Sequence, residues 1–208
     1  MSQNVEDVIG GIYDKRFLEF GPTPKASMWF SKKRQYERFE TIFDQIMNLK
    51  KQEPITVSDV GCGYGAFLEY LLEKYLEPEW IYTGYDISNE VMKFCKSKFK
   101  RNGSFYRSST PNYETDFIIM SGTFNFFPHN NFSQWNTYFQ NSLKLMWPEA
   151  SRAMIFNLQV SNKTRITSGG IVYASSYEVE KFCVNNFGET LVINNPRLPN
   201  DQTFAVLK

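Results

Sequence analysis

From Ser31 the chain settles into a regular alternation. Tyr36, Phe39, Ile42, Phe43, Ile46, Met47 and Leu49 recur at three- and four-residue spacing among Lys, Arg, Glu and Gln. That period predicts an amphipathic helix with Ser31 as its N-cap. Pro54 ends this region, and the β-branched run Ile55 to Val60 then meets a glycine cluster, which reads as a strand entering a tight turn. Ala66 to Leu76 carries strong helix formers with apolar faces, Trp80 to Tyr85 is strand-like, and Ser88 is placed to cap a helix running to about Lys100. Further strands are expected at Ser104 to Tyr106, Asp116 to Ser121, Ala153 to Val160, Thr190 to Asn194 and Thr203 to Leu207, with helices at Phe132 to Met146 and Tyr177 to Asn186. The first thirty residues, broken by Gly10-Gly11, Gly21-Pro22 and Pro24, read as an irregular lead-in with one short helix.

Seven strands with intervening helices predict a single α/β domain, with a mostly parallel sheet and helices layered on both faces. Pro196 to Gln202 is too short for a parallel crossover, so the last two strands should form an antiparallel hairpin. The division expected is 1–52 as an N-terminal helical extension or lid and 53–208 as the catalytic domain.

Composition narrows the picture. The chain has 208 residues, 42% hydrophobic and 22% charged, as in a globular protein. A formal net charge of +1 supplies no field for a polyanion, so nucleic acid is not an expected partner. The basic cluster Lys93, Lys96, Lys98, Lys100 and Arg101 is read as the solvated face of a helix. Cys62, Cys95 and Cys183 are odd in number and contain no CxxC, which excludes a disulfide framework or a zinc knuckle and predicts a reducing, cytoplasmic location. The polar start Met1 to Gly10 does not read as a signal peptide, and no apolar stretch suits a membrane span. A monomer or homodimer is expected.

Asp59-Val60-Gly61-Cys62-Gly63-Tyr64-Gly65 lies where the first strand hands over to a helix. Glycines there permit both a sharp turn and a close approach of backbone to a ligand. Asp86 closes the second strand about 20 residues later, where a carboxylate can accept hydrogen bonds from the two ribose hydroxyls of an adenosine. Loop and acid together describe an adenosine-cofactor site. Gly61, Gly63 and Ala66 also satisfy the dinucleotide fingerprint. Against that reading stand the tighter GxGxG loop, the extension preceding it, and the placement of Tyr70 and Lys74 on the first crossover helix.

The strings VSDVGCGYGAFLEYL, YTGYDIS and DFIIMSG resemble the first three motifs of the class I, Rossmann-like S-adenosylmethionine-dependent methyltransferases, over Ile55 to Met120. GPTPKASMWFSKKRQYERF, SGTFNF, FNL and FAVL resemble a smaller group of bacterial methyltransferases, mostly without assigned substrates. The resemblance implies S-adenosyl-L-methionine as cofactor and S-adenosyl-L-homocysteine as product, in a Rossmann-like three-layer sandwich. It implies that Gly61, Gly63 and Gly65 cradle the methionine part, that Asp59 orients the loop or reaches the amino group, and that Asp86 holds the ribose. Cys62, Tyr64, Ile87, Ser121 and Gly122 are expected around the same cofactor. Many members carry an acid just after the third strand to bind adenine. Here the stretch is Tyr106-Arg107-Ser108-Ser109-Thr110, which leaves a serine hydroxyl such as that of Ser108, or a backbone group.

Methyl transfer from a sulfonium requires alignment and exclusion of water more than a dedicated catalytic group. The one histidine, His129, has two readings: a general base, or a surface-loop residue beside Pro128. The segment after the fourth strand lacks the Asn/Asp-Pro-Pro-aromatic motif of adenine and glutamine amide methyltransferases, and no Pro-Cys pair supports carbon-5 chemistry on cytosine. A small-molecule acceptor is therefore expected, methylated on oxygen or nitrogen rather than carbon. Tyr13, Trp29, Arg38, Phe124, Asn125, Asn157 and Tyr173 are the candidate acceptor contacts. A nicotinamide-dependent oxidoreductase and a non-catalytic cofactor-binding module remain as alternatives.

Aromatic residues make up 17% of the chain. Those outside regular spacing, namely Tyr13, Phe17, Phe20, Trp29, Phe124, Phe126, Phe127 and Phe132, are expected to form a water-excluding pocket over the transferable methyl.

Overall fold

The computed structural model describes residues 4–51, 53–74 and 79–208. Two helices come first, α1 (Val5–Phe20) and α2 (Lys32–Leu49). The βα alternation follows as β1 (Ile55–Val60), α3 (Ala66–Lys74), β2 (Trp80–Asp86), α4 (Asn89–Lys98), β3 (Ser104–Arg107), β4 (Thr115–Ser121), α5 (Phe132–Met146) and β5 (Ala150–Gln159). The chain ends with β6 (Arg165–Ile166), β7 (Val172–Tyr173), α6 (Ser176–Asn186), β8 (Thr190–Asn194) and β9 (Asp201–Leu207). The seven predicted strands are all present and form one sheet in the order β3-β2-β1-β4-β5-β9-β8. The strands β3, β2, β1, β4 and β5 are parallel, and β9 runs antiparallel to both β5 and β8, which is the expected closing hairpin. The tiny β6–β7 hairpin lies outside this sheet and was not anticipated. The final predicted residues of α3, Tyr75 and Leu76, lie outside the described residues.

The central strands bury both faces, so their side chains divide by pleat between two cores. On β4, Phe117 and Ile119 face one core while Ile118 and Met120 face the other; on β5, Ile155 is opposed by Met154 and Phe156. The first core is completed by Phe39, Ile42, Phe43 and Ile46 of α2, with Phe67 and Leu71 of α3. The second is completed by Trp135, Phe139, Leu143 and Met146 of α5, with Val179 and Cys183 of α6. Ser31 and Ser88 cap α2 and α4 as predicted, accepting from Arg34 N and Val91 N. Cys62, Cys95 and Cys183 are buried free thiols. Among the described residues no helix is long and apolar enough to cross a membrane.

The lead-in departs from expectation. Gly10 and Gly11 were read as helix breaks, yet α1 runs through them for 16 residues. The reason is tertiary: a Cβ on Gly10 would stand 3.2 Å from the Ile87 carbonyl oxygen, so the glycine lets α1 lie directly on the end of β2. Asp14 then fastens the helix. Its Oδ1 accepts from Ser88 Oγ at 2.5 Å and from Glu90 N at 3.0 Å, at the N-terminus of α4 where a carboxylate is favoured.

Candidate active site

The sheet reverses its order between β1 and β4, and in an open α/β sheet ligands bind beyond the strand ends at such a point. Three glycines make the turn after β1, with φ of +74° at Gly61, +53° at Gly63 and +79° at Gly65, a left-handed region costly for other residues. The Tyr85 carbonyl accepts from both Gly61 N and Cys62 N, at 2.8 and 3.0 Å. Asp86, the last residue of β2, accepts from Gly63 N on Oδ2 and from Ser88 N on Oδ1, both at 2.9 Å.

A cavity opens beside this carboxylate. Its floor comes from Val60, Gly61, Gly63, Asp86 and Ile87, its far end from Ser108 and Ser109, and its other wall from Ser121, Gly122 and Phe124. Ile9, Tyr13 and Phe17 of α1, with Ala26, Ser27 and Trp29 of the following turn, form its cover. Burial raises the Asp86 carboxyl, against the pull of its backbone donors, and nearby Asp14 adds to the rise. The Tyr13 phenol is pushed up by burial and by Asp86. Ser121 Oγ is buried without a hydrogen-bond partner.

A narrower chamber joins the cavity at Gly61, Gly63 and Ser121, and contains Asp59, Gln35 and Tyr64. Asp59 is buried and accepts from Tyr82 Oη at 2.6 Å. Burial pushes its carboxyl up to about 7; the Tyr82 bond opposes this and the charge of Asp86 adds to it.

On the opposite side, Gly122 is shared with a second cavity of about 250 Å³. Arg34, Arg38, Asn125, Gln159, Tyr173 and Asp201 give it a polar lining. Arg38 is 4% exposed, lies 3.9 Å over the Trp29 ring and pairs through Nη2 with Asp201. Asp201 accepts from Asn157 Nδ2 at 3.0 Å, and Asn157 Oδ1 accepts from Gly122 N at 2.7 Å. One chain of contacts therefore runs from α2 through β9 and β5 to the end of β4.

Of the expected cofactor residues, Gly61, Gly63, Asp86, Ile87, Ser108, Ser121 and Gly122 line the first cavity. Asp59, Cys62 and Tyr64 stand behind the loop. Tyr64 Oη donates to Gln35 Oε1 at 2.8 Å, away from the main cavity. Gly65 faces elsewhere: a Cβ there would meet the Phe99 ring at 2.4 Å, so this glycine serves packing of the loop on α4. The Ser108 hydroxyl is engaged in its own turn, donating to the Thr110 carbonyl at 2.7 Å.

Of the expected acceptor residues, Tyr13 and Trp29 line both cavities, Phe124 the first, and Arg38, Asn125 and Tyr173 the second. Asn157 is 1% exposed and acts through Gly122 and Asp201. His129 is exposed, packs edge-on against Phe127 and lines neither cavity. Its placement beside Pro128 accords with the surface-loop reading, and the geometry gives no support to a general base at this position.

The aromatic pocket needs correction. Tyr13, Phe17, Trp29, Phe124 and Phe126 do line the two cavities. Phe127 is buried in the second core, Phe132 stacks on Trp135, and Phe20 sits under Arg16. The second cavity is polar because α2 and β9 bring their charged residues to it. Asp14, Arg34, Gln159 and Asp201 are not among the residues expected from the sequence. Asp201 lay at the predicted closing hairpin, and an acid beginning a strand buried on both sides was the signal available.

Residues 58–150 match the family model for the methyltransferase domain. A Mycobacterium tuberculosis (strain H37Rv) protein named "Putative methyltransferase Rv1506c" is 29% identical over 111 residues. The match takes in 52% of this chain and 66% of that protein, just under two thirds of its length. The magnesium protoporphyrin IX methyltransferase of Synechocystis PCC 6803, solved with bound SAH, is similar with a TM-score of 0.69 at 12% identity, covering 99% of this chain and 100% of that chain. The CurJ carbon methyltransferase is similar with a TM-score of 0.58 at 12% identity, covering 83% of this chain and 53% of that chain. At such identities these structures speak for the fold, while the match over 58–150 covers the glycine loop, Asp86 and the end of β4. Sequence match, strand order and site geometry agree: residues 58–150 match a methyltransferase domain, and the chain has the fold of S-adenosylmethionine-dependent methyltransferases.

Proposed function

We propose that this protein transfers a methyl group from S-adenosylmethionine to a small-molecule acceptor, on oxygen or nitrogen. The observation that carries the reading is the junction at Gly122, where a cavity built around Asp86 and the glycine loop meets a second, separately lined cavity. Two adjoining compartments suit a donor and an acceptor that must meet in line.

The residues present fit the cofactor. Asp86 lines the cavity and accepts one bond on each oxygen, which leaves a carboxylate lone pairs for two ribose hydroxyls, and the backbone of Gly61 and Gly63 has no side chain to obstruct the methionine portion. Asp59 and Gln35 offer the side chamber to its ammonium, while Ser121 Oγ is a buried hydroxyl in want of a partner. The backbone around Ser108 and Ser109 receives the adenine. When bound, S-adenosylmethionine supplies an electrophilic methyl on a sulfonium. The chain's own residues hold and orient the two reactants, and α1 with Trp29 keeps water out.

Within this reading, residues 1–52 form the cover and 53–208 the catalytic unit. Support for the cover comes from Ile9, Tyr13, Phe17 and Trp29, which line the first cavity from outside the sheet. Calorimetric titration with S-adenosylmethionine, S-adenosylhomocysteine and NAD tests the assignment. Binding of the first two is expected, and NAD binding in their place would establish an oxidoreductase.

A further inference from the structure

Gly122 marks a point where N–H donors converge. A Cβ at this residue, whose φ is +81°, would stand 2.7 Å from Arg38 Nη1, 3.5 Å from Asn125 Nδ2 and 3.7 Å from Trp29 Cζ2. Asn125 is fixed in orientation because Oδ1 accepts from Gln159 N at 2.9 Å, which leaves Nδ2 as the end directed at the junction. Arg38 is buried, and its Nε has no hydrogen-bond partner. Arg34 places a second guanidinium on the same cavity. The one carboxylate there among the described residues, Asp201, is shared between Arg38 and Asn157, so positive charge is in excess among them.

The titratable groups lining this cavity are Tyr13, Arg34, Arg38, Tyr173 and Asp201. Asp201 is tied on both oxygens. Burial, with the charge of Asp86 adding to it, raises the Tyr13 phenol and keeps it protonated. Among the described residues none is placed to remove a proton from a neutral alcohol or amine, whereas an acceptor that is already ionised needs no base. Trp29, Tyr13 and Phe126 supply flat apolar walls beside the polar junction.

Resting on the methyltransferase reading, we propose that the acceptor is a small carboxylate with a flat or apolar body, its carboxylate seated against Arg38 Nη1 and Asn125 Nδ2 at Gly122. Guanidinium and amide donors are matched to the two oxygens, and the charge-assisted bonds are the stronger kind. A carboxylate oxygen forms the new O–C bond with its own lone pair as the C–S bond breaks onto sulfur, giving a methyl ester with no proton to remove.

The test is calorimetric titration of benzoate and of benzamide, equal in shape and different in charge, into protein saturated with S-adenosylhomocysteine. Benzoate is expected to bind at least about tenfold more tightly. Asn125→Asp keeps an oxygen for Gln159 N but turns the facing donor into an acceptor, and Arg34→Gln removes the second cation at the rim. Asn125→Asp should abolish the preference and Arg34→Gln should weaken it, both leaving S-adenosylhomocysteine affinity unchanged. Equal binding of the two probes, binding of neither to the saturated protein, or a preference that survives in Asn125→Asp overturns the proposal. Failure of the wild-type protein to bind S-adenosylhomocysteine overturns the underlying reading instead.

Discussion

Gly63 N donates to Asp86 Oδ2 at 2.9 Å, tying the turn after β1 to the tip of β2. The bond explains why an acid is needed at this place before any ligand arrives. The loop takes left-handed backbone at three glycines, and a fixed acceptor on the neighbouring strand holds that conformation in register. Asp86 thus shapes the floor of the cavity and supplies its carboxylate.

Ser121 separates folding from binding. Its Oγ is buried and unpartnered, a condition that costs stability unless a ligand satisfies it. Ser121→Ala should therefore leave chemical unfolding unchanged, or raise stability by up to about 1 kcal/mol, while weakening S-adenosylmethionine binding several-fold. Paired urea denaturation and calorimetry read both. Loss of stability with unchanged affinity would assign the hydroxyl to the fold alone.

Asp59 makes stability depend on pH in an unusual direction. Its folded-state carboxyl, raised to about 7 by burial, lies above that of an exposed aspartate, so the folded chain binds the proton more tightly. Its contribution is fully present below about pH 4 and is lost as pH rises through 7. Asp59→Asn keeps an oxygen for Tyr82 Oη and removes the ionisation. Relative to wild type, the variant should gain stability between pH 5 and pH 8 by more than about 1 kcal/mol, as measured by urea unfolding at each pH. An equal difference between the two proteins at both pH values would refute a raised Asp59.

Asp14 couples the cover to the cofactor wall. Asp14→Ala strips the acceptor shared by Ser88 Oγ and Glu90 N, at a cost of about 1 kcal/mol, and frees α1 from α4. Thermal unfolding should fall by a few degrees and S-adenosylhomocysteine affinity should drop, with most of both restored in Asp14→Asn. Wild-type affinity in Asp14→Ala would show that α1 is not needed to close the site.

The strands, their direction and the closing hairpin were legible because buried central strands and amphipathic helices announce themselves by period. The glycine loop and Asp86 were legible because their chemistry is local to two strand ends. The length of α1 was not, since Gly10 serves a contact with Ile87 far along the chain, and a glycine pair otherwise reads as a break. The link from Arg38 through Asp201 and Asn157 to Gly122 joins four elements, and no local pattern encodes it. For the same reason the acceptor side reads from the sequence as largely aromatic, with Arg38, Asn125 and Asn157 as its polar candidates. Aromatic excess is visible in composition, whereas the convergence of Arg34, Arg38 and Asn125 on one cavity depends on the packing of α2 against the ends of β4 and β9.

S-adenosylmethionine is expected to lie against Asp86. Calorimetric titration of S-adenosylhomocysteine into wild type and Asp86→Asn, with urea unfolding of both, is the measurement, because asparagine keeps an oxygen for Gly63 N, gives up the Ser88 N bond and removes the charge that two ribose hydroxyls would meet. Saturable one-to-one binding by wild type and a loss of at least about tenfold in the variant are predicted, equivalent to about 1.4 kcal/mol. Unchanged affinity in Asp86→Asn would contradict the account.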